Sequence, residues 1–148
     1  MNIESLGHIV LKVSDLKQAR RFYHDLLGLP ISAESDEWKM IFFTLGSHHN
    51  FAVLEVGPDA DASFDGIGVD HFAFKLAGGM DALKEAKQEL ECAGVEVMPV
   101  DHNVSYSLYF NDDDGNRLEV YVDGVEGWQT DPSLILQDAR HLNLKNDT

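Results

Sequence analysis

Two histidines and one glutamate are the residues of this chain best placed to do chemistry. His8 lies in Gly7-His8-Ile9-Val10-Leu11-Lys12-Val13 and His71 in Asp70-His71-Phe72-Ala73-Phe74-Lys75-Leu76; each is followed four positions later by lysine and then by an aliphatic residue. They stand 63 residues apart in a chain of 148, as though one unit were built twice with an imidazole held at the same place in each copy. Glu119 sits in Asn116-Arg117-Leu118-Glu119-Val120-Tyr121-Val122. Leu118, Val120 and Val122 alternate as a buried face, so Arg117, Glu119 and Tyr121 must point the other way. A carboxylate inside an apolar strand is costly unless it is paired or bound to a cation. An ion pair to Arg117 would satisfy it, and so would a metal. Two imidazoles and one carboxylate, with coordination positions left open, suit Fe(II) or Mn(II), with zinc or nickel as further choices.

The elements that must hold these residues can be read from periodicity. Residues 5–13 alternate as a strand, and Ser14-Asp15 offers a helix cap before Leu16, Ala19, Phe22, Tyr23, Leu26 and Leu27 at helical spacing. Gly28 and Pro30 end that helix. Strands are expected near 29–33, 38–45 and 51–56. After a turn-rich connector from Gly57 to Ser63 the pattern restarts: a strand over 69–76, an amphipathic helix over 80–93 stopped by Gly94, and strands over 95–100, 105–110 and 117–122. Both halves therefore read β-α-β-β-β. Short links between the last three strands of each half favour an α+β fold, with curved mixed sheets and helices on one face around a concave site. We expect one domain over 1–124, with modules at about 5–57 and 67–124, and a C-terminal extension over 125–148. Asp131-Pro132 starts a short helix in that extension, which is expected to cap the sheet or cover the site opening.

The repeat also raises a fourth ligand. Leu54-Glu55-Val56 matches Leu118-Glu119-Val120 at an offset of 64, which makes Glu55 a symmetry mate of Glu119; a competing register that aligns Asn50 with Asn116 places Val53 there instead. Strand pairing about the acidic turn 111–116 sets Tyr109 across from Glu119 on one face, as a site residue or a core aromatic.

With 26 acidic and 11 basic residues the formal charge is −15. Such a chain is repelled by phosphate backbones and anionic membranes, which argues against nucleic-acid or membrane partners. An anionic substrate would need a local positive centre, and a bound metal supplies one. The single cysteine, Cys92, excludes an internal disulfide, and the N-terminus lacks the basic and apolar blocks of a signal peptide. The expected setting is cytoplasmic.

His8 and His71 in repeated strands, with Glu119 after Asp114-Gly115-Asn116-Arg117-Leu118, resemble the vicinal oxygen chelate superfamily of glyoxalases, bleomycin resistance proteins and extradiol dioxygenases. The resemblance runs from about Leu6 to Gly124. Within it, Gly46-Ser47-His48-His49-Asn50-Phe51-Ala52-Val53 and the stretch from Asp101-His102 through Leu108-Tyr109-Phe110 are similar to the catechol-2,3-dioxygenase-like branch. Asn50 stands where that branch has aspartate, and Asp113 where it has proline. The resemblance implies a proton-handling histidine at His49, with His48 as the other choice, and a tyrosine near the metal at Tyr109. His48 and Tyr121 are further expected substrate contacts; His102, closer to Tyr109 than the histidine of that branch, is expected as a contact at the rim or as part of a turn-forming His102-Asn103 pair.

The resemblance further implies a homodimer, since modules pair within a chain or across two, and a small-molecule substrate. The leading expectation is an extradiol-type ring-cleaving dioxygenase acting on a catechol. The alternatives are a glyoxalase I-like lyase or epimerase, which needs Glu55 in the ligand set, and a non-catalytic bleomycin-type binder, which needs no metal.

Overall fold

The computed structural model describes residues 5–46, 50–61 and 69–144, and the chain divides into two units, Met1–Ser63 and Phe64–Thr148. In the first, β1 (Ile9–Val13) is followed by α1 (Leu16–Ala19), which runs on as a π-helical stretch (Arg20–Leu26), and then by β2 (Ile31–Ser35), β3 (Met40–Phe43) and β4 (Phe51–Glu55). The sheet order is β1-β4-β3-β2, with β1 parallel to β4 and the other pairs antiparallel. The helix begins where the sequence indicates: Asp15 is extended and its Oδ1 accepts the Gln18 N–H at 2.8 Å, satisfying an amide that has no partner in the helix itself. Gly28, at φ +72°, closes it in a conformation open to glycine. Tyr23, fully buried, lies 4.9 Å from Phe51 and 6.1 Å from Phe43, ring centre to ring centre, so the helix packs on one face of the sheet.

The second unit repeats this plan and extends it. β5 (Phe72–Lys75), α2 (Gly79–Cys92), β6 (Met98–Asp101), β7 (Ser105–Asn111), β8 (Arg117–Asp123) and β9 (Arg140–His141) form a sheet ordered β5-β8-β7-β6-β9. β5 is parallel to β8. Leu83 and Leu90 of α2 are buried, and the helix packs on β7 and β8, where Leu108, Phe110, Leu118, Val120 and Val122 form the core. Fully burying each such side chain contributes on the order of 2 kcal/mol. Glu119, Tyr109 and Tyr121 lie on the opposite face. Both units are thus mixed α+β, with helices on one face of each sheet.

Several strands are shorter than their hydrophobic patterns suggest. Both histidines fall one residue before their strands. β8 begins at Arg117, directly after the acidic turn, so residues ahead of His71 have no ladder to join. Val95 stays outside β6 because its N–H is committed to the Leu90 carbonyl at the end of α2, at 2.9 Å. Trp38 lies in the β2–β3 turn, 63% exposed, rather than in a strand. Among the described residues no helix is long and apolar enough to cross a membrane.

Candidate active site

The site of the second unit is built on the sheet face that α2 leaves uncovered. β7 and β8 pair antiparallel, so Tyr109 faces Glu119 and Ser107 faces Tyr121. Glu119 is 7% exposed, and its carboxylate is met from three directions. Ser107 Oγ, fully buried, donates to Oε1 at 2.5 Å; Oε2 lies 3.3 Å from His71 Nε2; and Tyr109 faces the same carboxylate across the strand pair. The other nitrogen of His71, Nδ1, donates to Asp70 Oδ2 at 2.6 Å. That bond holds the Asp70 carboxyl below its usual range.

Tyr109 is the hub of the polar cluster. Its ring makes an edge contact with His71, and the Arg117 guanidinium lies 4.7 Å above its centre. Its hydroxyl also meets His102 Nε2 at 2.9 Å. With the Glu119 carboxylate facing that hydroxyl across the strand pair, its one proton is drawn toward Glu119, and His102 donates through Nε2–H. Burial, followed by the charge of Glu119, pushes the phenol up to about 12. Tyr109 is therefore a proton donor at any working pH. Arg117 does not neutralise Glu119, the pairing that the sequence left open. It reaches Asp70 instead, at 3.8 Å.

His8 lies immediately before β1 in the first unit and is exposed. By strand alternation it shares a face with Val10 and Lys12, away from α1. His48 and His49 fall outside the described residues. Tyr121, half-buried, sits beside Lys75 on the Glu119 face. Among the described residues no group of three His, Cys, Asp or Glu side chains is gathered for a metal. His71 and Glu119 are the pair that is brought together, and their 3.3 Å spacing suits two donors each about 2.1 Å from one ion.

Glu55 goes elsewhere. It shares the helix-facing side of β4 with Phe51 and Val53; its Oε2 accepts the Leu16 N–H at 3.0 Å and its Oε1 accepts from Lys39 Nζ at 3.2 Å. Matching the parallel ladders shows why the repeat misled. Ile9 pairs with Phe51 as Phe72 pairs with Leu118, so the position equivalent to Glu119 is Ala52. Counted along the ladders, the second unit has four more residues from His71 to Glu119 than the first has from His8 to Ala52, and neither register taken from the repeat allows for them. Asp70 and Ser107 were missed as well. Asp70 adjoins His71, and Ser107 precedes Tyr109 by one strand period, but neither residue type marks a site by itself.

The chain belongs to the Glyoxalase/Bleomycin resistance protein/Dioxygenase superfamily, whose model matches residues 5–120. It is similar to glutathione transferase FosA of Serratia marcescens, 29% identical over 129 residues that cover 81% of this chain and 82% of that protein. It is also similar to biphenyl-2,3-diol 1,2-dioxygenase 3 of Rhodococcus globerulus, 31% identical over 122 residues, 80% of this chain and 63% of the relative. The chain thus spans under two thirds of that dioxygenase. Among solved structures, a glyoxalase/dioxygenase from Nostoc punctiforme has the same fold, with a TM-score of 0.68 at 21% identity, over 84% of this chain and 94% of that one.

Proposed function

We propose that the protein is a metal-dependent, extradiol-type ring-cleaving dioxygenase for a catechol-like substrate. His8, His71 and Glu119 would hold the ion, Fe(II) or Mn(II) by preference and Zn or Ni otherwise. The observation that carries this reading is His71 Nε2 set 3.3 Å from the buried Glu119 carboxylate, with Tyr109 facing it, in a repeat whose position equivalent to Glu119 is Ala52. Three protein ligands leave adjacent positions for two vicinal oxygens. When bound, the ion supplies Lewis acidity toward those oxygens and the redox capacity for O₂.

The rest falls to the chain. Ser107 holds the Glu119 carboxylate, and Asp70 fixes His71 with Nε2 free of a proton. Tyr109 offers a hydroxyl that stays protonated, whose one proton would turn from Glu119 to an oxygen of the bound substrate. His49 is assigned the proton exchange with substrate, with His48, His102 and Tyr121 as flanking contacts. We infer a homodimer.

The lyase and epimerase reading needs Glu55 as a ligand, and Glu55 anchors the start of α1 on the other face of its sheet. The bleomycin-type reading has no use for a buried carboxylate set against an oriented imidazole. A FosA-like thiol transfer gains support from the match over most of both chains. Against it, both cations on this face of the second sheet are already paired: Lys75 with Asp123 at 2.5 Å, and Arg117 with Asp70. A phosphonate would find little free positive charge there.

The test is to load metal-free protein with Fe(II) without oxygen, add catechol or biphenyl-2,3-diol, and admit air. A yellow ring-fission product with one O₂ consumed per diol is expected. No oxygen uptake with Fe(II) or Mn(II) on any diol, together with a glutathione adduct of fosfomycin, would move the protein to the transferase reading.

A further inference from the structure

The C-terminal segment has no counterpart in the first unit, yet it is bonded at several points to the β6–β7 turn, residues 102–104, which carries His102. Gly124 N–H donates to the Val104 carbonyl at 2.9 Å and Val125 N–H to the Asn103 carbonyl at 2.7 Å. Further along, the Leu134 carbonyl accepts from the Asn103 side chain at 3.4 Å. β9 then pairs with β6, Arg140 opposite Asp101 and His141 opposite Val100, and Leu142 N–H reaches the Pro99 carbonyl at 3.3 Å. The turn is therefore held on its inner side by residues 124–125, at its tip by Leu134, and along its incoming strand by β9.

Two further features show that this contact is tightly fitted. Asn103 is left-handed, at φ +67°, with its N–H bonded to Asp101 Oδ1 at 2.7 Å. Gly124 lies so close that a Cβ there would stand 2.3 Å from the Asn103 carbonyl oxygen. No side chain fits without moving the turn.

We propose that residues 124–142 are a working part of the site, a clamp that sets the β6–β7 turn so that His102 donates to the Tyr109 hydroxyl. His102 is then a positioning residue for Tyr109. Its hydrogen bond turns the hydroxyl proton toward Glu119 and the space beside it. The catalytic half of this proposal rests on the metal-site reading above; the clamp does not, and it can be tested on metal-free protein.

The full-length chain is treated with diethylpyrocarbonate at neutral pH, and modification of His102 is followed by peptide mass spectrometry. In the native protein His102 should react several-fold more slowly than exposed His141. Gly124→Ala and Asn103→Ala should each speed it several-fold, and so should Tyr109→Phe, with no change at His141. An unchanged rate in Gly124→Ala that keeps the native circular dichroism and melting temperature would overturn the clamp. An unchanged rate in Tyr109→Phe would overturn the hydrogen bond.

Should Gly124→Ala fail to fold, native protein suffices. The His102 Nε2–H proton should be visible by NMR as slowly exchanging, and its absence would refute the proposal. In turnover, His102→Ala should lower kcat more than it raises KM, and His102→Gln should restore most of the loss. A loss confined to KM would make His102 a substrate contact rather than a positioning residue.

Discussion

An imidazole offers a metal only one nitrogen, and the hydrogen bond made by the other decides which one it is. Asp70 makes that choice for His71, while Ser107 occupies Oε1 of Glu119 and leaves Oε2 toward the imidazole. Removing such supports weakens metal binding about 10- to 100-fold. For the metal site proposed above, Asp70→Ala and Ser107→Ala should each do so, read by competition with a chromophoric chelator; affinities within twofold of native would show that His71 and Glu119 keep their orientation without these bonds. Tyr109 gives a second expectation. Its folded value, about 12, lies above the ordinary 10.0. The stability it contributes is present below pH 10 and lost as pH rises toward 12. In a difference titration between native protein and Tyr109→Phe the missing phenol should ionise near 12, and a midpoint near 10 would contradict its burial against Glu119. Much of this was legible beforehand. The two-residue period of a strand and the symmetry of a turn are enough to set Tyr109 against Glu119. The Ser107 and Asp70 contacts depend on side-chain rotamers, which periodicity does not encode.

At the scale of elements, caps and turn glycines were legible because each satisfies a local demand: Asp15 opens α1, while Gly28 and Gly94 close the helices at φ +72° and +80°. The strand order β1-β4-β3-β2, with its one parallel pair, follows from a long crossover and short later links. What could not be read was register between units, because loop length changes it without leaving a mark in the hydrophobic pattern. Glu55 is the consequence. The Leu16 N–H, followed by Lys39, holds its carboxyl below the ordinary 4.5. Its folded value is depressed, so the stabilisation is present above pH 4.5 and lost as pH falls through the lower folded value. Glu55→Ala should lower the melting temperature at neutral pH by a few degrees and flatten part of the acid limb, while metal affinity stays as in native protein. A tenfold loss of metal affinity in that variant would return Glu55 to the ligand set.

Across the whole molecule the charge balance bears on substrate choice. The formal charge of −15 surrounds a site whose nearby cations, Lys75 and Arg117, are already paired with Asp123 and Asp70. An ion held by two neutral imidazoles and one carboxylate would carry a net positive charge, but one confined to the coordination positions. A catechol loses its proton only on reaching those positions, so it approaches as a neutral molecule. A catechol bearing a ring carboxylate arrives charged, crosses a field of its own sign, and finds the two cations on the Glu119 face of the second sheet already paired. Exposed charges act over a Debye length of about 10 Å at 0.1 M salt, and over about 30 Å at 0.01 M. The expected result is a kcat/KM for unsubstituted catechol at least tenfold above that for a carboxylated catechol at low ionic strength, with the gap narrowing as salt is added. Because the penalty falls on encounter, kcat should differ less than kcat/KM between the two. Lys75→Ala would leave Asp123 unpaired and widen the gap. Asp123→Asn would release Lys75 and narrow it. Equal kcat/KM values at low salt, or a gap that salt does not touch, would mean that substrate choice is set by contacts inside the site and not by the acidity of the chain.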